Sequence, residues 1–293
     1  MNHLPTVPLS VPSSKKTLFL KNFNLATRRT GRLLLFAGDQ RVEHLNDDFH
    51  GEGIPTEDAS PEHLFKIAAN SRVGLFATQL GYINRYGAKY PKIPYLVKLN
   101  SKSHLVPVGQ QEPYSGAWYD VRQVVEFAKQ SKLNIPAIGY TVYVGSSFEA
   151  AMLKEAAQLV WQAHQYGLLA VLWMYPRGKA VDNQNDPHLI AGAVNVGTAL
   201  GADFVKVDRP EPASSEGYGE IFAAGEGIRV LFAGGKSQHA SSLFGTIAEQ
   251  MAAGASGVAL GRNIHQRKLK EAIALTNAVA GIVYDRQVPP LGN

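Results

Sequence analysis

No cysteine occurs anywhere in the 293 residues. Disulfides, thiolate metal ligands and thiol nucleophiles are therefore excluded together. Long apolar runs are missing too, none approaching the roughly 20 residues needed to span a bilayer, so no membrane partner is expected. The opening stretch Met1–Ser14 is rich in Pro and Ser and lacks the apolar centre of a signal peptide. Residues 1–25 are expected to form a surface arm, and the chain to be cytoplasmic. The formal charge is +5, yet Lys and Arg are scattered and no dense basic block marks a nucleic-acid footprint. An anionic small substrate needs only a few placed cations and backbone N–H groups, and fits this charge better.

Several catalytic signatures are absent as well. The nine histidines form no H-x-H or H-E-x-x-H arrangement, so no metal is expected. The acid–imidazole pair Glu43-His44 is expected in a loop. No G-x-S-x-G elbow offers a serine nucleophile. The first apolar run leads into Gly38-Asp39-Gln40-Arg41, which is not a dinucleotide fingerprint, and no cofactor is expected.

What the sequence does contain is eight short, nearly continuous apolar runs: Arg32–Ala37, Val73–Ala77, Tyr95–Leu99, Ala137–Val144, Ala170–Tyr175, Phe204–Val207, Arg229–Ala233 and Gly257–Leu260. Strands buried on both faces read this way. Between them lie helical patterns. In Phe148–Tyr166, Met152, Leu153, Ala156, Leu159, Val160 and Ala163 recur at i, i+3, i+4 spacing. Ser146 or Ser147 is the expected N-cap and Gly167 the expected stop. Asp186–Leu200 and Ser241–Ala253 read alike. Eight strand–helix units without a linker predict an α/β fold, a single (β/α)8 TIM barrel over residues 1–293. Ser101–Tyr119 is the expected insertion after the third strand.

In such a barrel the site lies at the C-terminal strand ends, and four features there carry chemistry. Lys206 sits between valines in Phe204-Val205-Lys206-Val207-Asp208. A charged amine there needs Asp203 or Asp208 as a partner; otherwise its pKa is depressed and it is a nucleophile. Period-two alternation puts Trp173 and Tyr175 on one face, as a core aromatic pair or as a site wall with a proton-transferring phenol. Asp39 ends the first run, either as a turn residue or as an acid facing substrate. Gly234-Gly235-Lys236 and Gly261-Arg262 end the last two strands, where this fold commonly holds phosphate.

Taken in order, Gly139–Ser146, Trp173-Met174-Tyr175-Pro176-Arg177-Gly178, Gly201–Val207, Ala233–Lys236, Gly257–Asn263 and Pro94–Asn100 resemble the archaeal-type class I fructose-bisphosphate aldolases. The resemblance runs from about Arg32 to Gln266. It implies that Lys206 forms a Schiff base, Tyr175 transfers protons and Asp39 is the acid of the first strand. It also implies that Trp173 lines the site, that Gly234, Gly235, Gly261 and Arg262 hold phosphate, and that Arg177 and Lys236 contact substrate. The implied reaction is reversible cleavage of fructose 1,6-bisphosphate to dihydroxyacetone phosphate and glyceraldehyde 3-phosphate. It needs no metal or cofactor, and would serve glycolysis or gluconeogenesis in a homo-oligomer. A Schiff-base aldolase or transaldolase-like enzyme on another phosphorylated sugar, and a non-catalytic sugar-phosphate-binding barrel, are the alternatives. Two departures stand out: Gln40-Arg41 replaces the His-Gly that usually follows the acid, and Asp208-Arg209 adds a charge pair beside the lysine.

Overall fold

A computed structural model describes residues 5–287. Eight parallel strands follow one another in sequence order and close on themselves: β1 (Leu33–Ala37), β2 (Leu75–Gln79), β3 (Tyr95–Lys98), β4 (Ala137–Val144), β5 (Leu169–Pro176), β6 (Phe204–Val207), β7 (Arg229–Ala233) and β8 (Gly257–Leu260). Helices connect most of them on the outside, as right-handed crossovers between parallel neighbours require. The strands are buried almost throughout, which is why their sequences read as apolar runs rather than alternations. No helix among the described residues is long and apolar enough to cross a membrane.

Closure is made where Leu33 pairs with Gly257. The longest ladder joins β4 to β5, with Thr141 opposite Trp173 and Tyr143 opposite Tyr175. That register sets four polar or aromatic side chains around one end of the barrel. Helix ends follow from local chemistry. Asp186 accepts hydrogen bonds from the backbone N–H of His188 and Leu189 ahead of the helix Pro187–Ala199, and Asp120 forms a reciprocal capping box with Gln123. Gly167, at φ +73°, ends the helix Glu149–Gln165. Its N-cap is Phe148, without a side-chain cap. Ser146, expected as the cap, lies two residues ahead of it: its hydroxyl donates to Pro113 O at 2.6 Å and accepts from Phe148 N at 3.2 Å.

The N-terminal segment differs from expectation. Residues 1–4 lie outside the described residues, but from Pro5 onward the segment is held against the barrel, with Val11 buried. Lys16–Ala26 is a helix. Phe19 packs edge-on against His164, Phe23 stacks on Phe204, and Asn22 Nδ2 donates to Gly167 O at 2.8 Å. Each phenylalanine buried there stabilises the fold by roughly 1.5–3 kcal/mol. Phe19, Phe23 and Ala26 recur at i, i+4, i+7, a helical stripe masked by the Pro- and Ser-rich opening.

Candidate active site

Strand ends and the loops after them build a narrow shaft into the C-terminal mouth of the barrel. Glu43, Tyr175, Arg177, Lys206, Asp208, Gly234, Gly261 and Arg262 are among its walls. It opens into a vestibule of about 580 Å³. Arg177, Asp208, Gly234, Gly235 and Arg262 line both, so the two are continuous. Lys236, on the vestibule wall, is exposed.

Lys206 stands at the foot of the shaft. It is 5% exposed, and its Nζ lies 5.1 Å from the Trp173 ring centroid and 5.7 Å from that of Tyr175. The two aromatics therefore share a face, as period two requires. Neither aspartate expected to neutralise the amine does so. Asp203 sits at the other end of β6, accepts from Ala170 N at 2.8 Å and lies 3.3 Å from His164 Nε2. Asp208 pairs with Arg177 at 3.1 Å. Burial pulls the Lys206 pKa below the ordinary lysine value, and Lys98 adds to the depression, against Asp39, Glu43 and Asp208. Burial likewise pushes Tyr175 well above the usual phenol value, helped by Asp208 and Glu43. The phenol therefore keeps its proton.

A second lysine, Lys98 at the end of β3, is handled in the opposite way. It is fully buried, donates to Thr141 Oγ1 at 2.7 Å and Asn100 O at 3.1 Å, and lies 3.4 Å from Asp39 and 3.7 Å from Glu43. A buried ammonium is tolerated only when so surrounded. Two lysines thus flank Trp173: one fixed by four oxygens, one without an ion-pair partner among the described residues. Asp39 itself is 1% exposed with both carboxylate oxygens lacking a hydrogen bond. Its backbone oxygen accepts from Gln79 Nε2 at 2.9 Å.

Reading the sequence missed three residues here. Glu43 is not in a loop but ends the short helix Gln40–Glu43, which turns it inward to Lys98. Burial alone would raise its pKa, but Lys98, then Lys206 and Arg177, hold it below the usual carboxylate value. Tyr143 carries a buried hydroxyl without a hydrogen bond beside Tyr175, and burial raises its pKa. Lys98 falls inside the resembling segment Pro94–Asn100 but was not singled out there. Strand position alone marks Lys98 and Tyr143; nothing in a four-residue helix marks Glu43.

The glycine ends meet through Asn263, whose amide donates to Gly234 O at 2.9 Å and Lys236 O at 3.0 Å and accepts from Gln238 N at 3.0 Å. Gly261 leaves room for Gln40: a Cβ there would lie 1.8 Å from Gln40 Oε1, displacing that side chain, and 2.9 Å from the Ala37 backbone oxygen. Arg262 enters from the same turn, 3.6 Å from Asp48. The charge pair expected beside Lys206 is split, because Arg209 turns to Glu249 at 3.5 Å.

A closed parallel barrel carrying a buried lysine beside two aromatic rings at its C-terminal mouth, without an ion-pair partner among the described residues, is a setting suited to an amine nucleophile. Residues 33–267 match the DeoC/LacD aldolase family, and the chain belongs to that family. It is 50% identical over 281 residues to the fructose-bisphosphate aldolase/6-deoxy-5-ketofructose 1-phosphate synthase of Methanocaldococcus jannaschii, covering 95% of this chain and 90% of that one. It is 31% identical to the class 1 fructose-bisphosphate aldolase of Thermoproteus tenax, covering 87% and 91%. Among solved structures it resembles a fructose-bisphosphate aldolase from Slackia heliotrinireducens (TM-score 0.94, 46% identity, 98% and 92% covered). It also resembles an archaeal fructose-1,6-bisphosphate aldolase whose catalytic lysine is covalently bound to the carbinolamine intermediate (TM-score 0.79, 29% identity, 91% and 99% covered).

Proposed function

We propose that the chain is a class I aldolase that cleaves fructose 1,6-bisphosphate reversibly to dihydroxyacetone phosphate and glyceraldehyde 3-phosphate, with Lys206 as the Schiff-base lysine. The observation that carries this reading is the contrast between the two buried lysines: Lys98 is held by oxygens, whereas Lys206 is desolvated and without an ion-pair partner among the described residues. A depressed pKa leaves more of the Lys206 amine neutral, the form that attacks a ketone. Attack on C2 gives a carbinolamine, and loss of water gives an iminium. The iminium withdraws the electron pair of the C3–C4 bond, releasing the aldehyde and leaving an enamine that is then protonated and hydrolysed. Tyr175, kept protonated by burial, moves protons during dehydration and cleavage. Asp39 supports the cationic intermediate from behind Lys98. Gly234, Gly235, Gly261 and Arg262 hold a phosphate, with Lys236, Arg177 and Trp173 completing the walls, so that the ketone is fixed within reach of the amine. A cytoplasmic homo-oligomer working in glycolysis or gluconeogenesis belongs to the same reading.

A second reading, the synthesis of 6-deoxy-5-ketofructose 1-phosphate, is favoured by the double name of the relative at 50% identity; it keeps Lys206 and the phosphate walls and changes the second carbonyl partner.

Borohydride reduction in the presence of dihydroxyacetone phosphate, followed by peptide mass mapping, tests the chemistry. The expected result is a reduced adduct on Lys206, lost together with turnover in Lys206→Met. An adduct on another lysine overturns the site, and binding without any adduct, for this and other keto-sugar phosphates, leaves a non-catalytic barrel. Turnover with different aldehydes then separates the two substrates.

A further inference from the structure

Iminium formation places a fixed positive charge on Lys206 Nζ: the N–C bond forms, the carbinolamine oxygen leaves as water, and the nitrogen keeps the charge. A desolvated shaft must already contain the charge that meets it. The groups facing the amine can be counted. From β3 comes Lys98, fixed by four oxygens. From β1 and the helix after it come two carboxylates, Asp39 and Glu43. Arg177 and Asp208 cancel each other at 3.1 Å. From β4 and β5, Tyr143 and Tyr175 are held neutral by burial. From the loop above, His104 is held below the ordinary histidine value by burial, despite Glu43. At the mouth, Arg262 and His44 both lean on Asp48. The floor therefore sets two carboxylates, Asp39 and Glu43, against the one lysine that pairs with them, Lys98.

The two carboxylates are not equivalent. Asp39 is 1% exposed and is the nearer to Lys98. Glu43 lines the shaft alongside Lys206, and its Oε1 has no hydrogen-bond partner. The backbone secures its position: Glu43 O accepts from His104 N at 2.8 Å, so the long loop after β3 fixes the acid from above.

We propose that Glu43 is the counter-ion of the iminium at Lys206, a positioning residue that shares Lys98 with Asp39 in the free enzyme and meets the new charge when the Schiff base forms. This rests on Lys206 being the Schiff-base lysine. Lys98 then plays the complementary part, lying 3.4 Å from Asp39 and 3.7 Å from Glu43 and so divided between the two carboxylates.

The test compares wild type, Glu43→Gln and Glu43→Asp, with circular dichroism and thermal melting to establish that each variant folds. For each, borohydride-trapped adduct at Lys206 with dihydroxyacetone phosphate is measured between pH 5 and pH 9, with kcat over the same range. Removing the negative charge favours the neutral amine over every cationic form at that nitrogen. The Glu43→Gln acid limb should therefore move to lower pH by about one unit, and trapped adduct should fall roughly tenfold. Glu43→Asp should recover most of the adduct. A Glu43→Gln enzyme that traps like wild type with an unmoved acid limb overturns the role. So does a limb that moves to higher pH. Should the Gln variant fail to fold, Glu43→Ala is read in its place: an acid limb and adduct like those of wild type overturn the role, and a limb moved to lower pH with less adduct supports it. Absence of adduct in the wild type defeats the Schiff-base reading itself, and is thereby distinguished from failure at Glu43 alone.

Discussion

At the scale of single residues, the least conventional member of the site is Gln40, which stands where the resembling family has histidine. Its Oε1 is buried without a hydrogen-bond partner and is packed against Gly261, and the side chain lines the shaft. It touches the glycine turn proposed to hold phosphate. Gln40→Ala is expected to raise KM for the ketose phosphate roughly tenfold, the worth of one hydrogen bond at about 1.4 kcal/mol, while kcat stays within about threefold. Steady-state kinetics decide it; a kcat loss at unchanged KM would move Gln40 from binding into the chemistry. Arg41, the other replaced position, does not reach the shaft. Its guanidinium lies 4.1 Å over the Phe49 ring and donates to Asp58 O. Residue types alone marked Lys206, Tyr175 and the glycine ends, because polar groups and glycines interrupt apolar strands there. They could not tell that neither Asp203 nor Asp208 neutralises Lys206. Asp203 and Asp208 were nearest in sequence, but the partners of a buried charge are set by register across the barrel.

Elements were legible where burial is complete and obscure where a short turn does the work. β4, β6, β7 and β8 begin and end where the apolar runs do, and the helices Pro187–Ala199 and Ala240–Ala253 fall within one residue of their patterns. β2 runs on to Gln79 because its polar end is buried by bonding to Asp39 O and Ser101 Oγ, which no apolar pattern can show. The segment from Gln40 to Ala59 was illegible for a different reason: distant contacts pin it. His265, after β8, bonds Asp58 through Nδ1 at 2.6 Å, stacks on Phe49 at 4.5 Å and is 0% exposed. Burial depresses the His265 pKa below its ordinary value, outweighing Asp58. The unfolded chain binds a proton at this ring near pH 6.5, whereas the folded chain resists it until a lower pH. The stability of this tie is complete above about pH 6.5 and is lost as pH falls toward the folded value. Hydrogen exchange over residues 44–59 should therefore accelerate between pH 7 and pH 5 more than pH-corrected intrinsic rates allow. In His265→Phe that excess dependence should vanish; a variant that keeps it would show that His265 is not its source.

For the whole molecule, the decisive event is ring closure, and one residue governs whether β8 can reach β1. Gly257 pairs with Leu33 at φ +144°, a backbone conformation that a side chain opposes. Space forbids one as well: a Cβ at this position would lie 1.9 Å from Leu33 O, an atom fixed in the neighbouring strand. Backbone cannot swing aside as a flexible side chain can, so the strain must be met by parting the strands. Closure elsewhere depends on contacts distant in sequence, including Tyr284 OH, which accepts from Leu34 N at 3.0 Å from the far end of the chain. A parted β1–β8 seam would release that contact and tilt the first strand, which carries Asp39, away from the last, which carries Gly261. Gly257→Ala is expected to cost more than about 3 kcal/mol, lowering the midpoint of urea unfolding. In whatever fraction folds it should reduce phosphate binding and Schiff-base trapping together. The control is Gly245→Ala in the helix Ala240–Ala253, where a Cβ meets nothing within 4 Å and alanine is the better helix former by about 1 kcal/mol. That variant should be as stable as wild type or more so and fully active. Equal stability of the two alanine variants would show that the seam tolerates a side chain and that closure is governed elsewhere in the barrel.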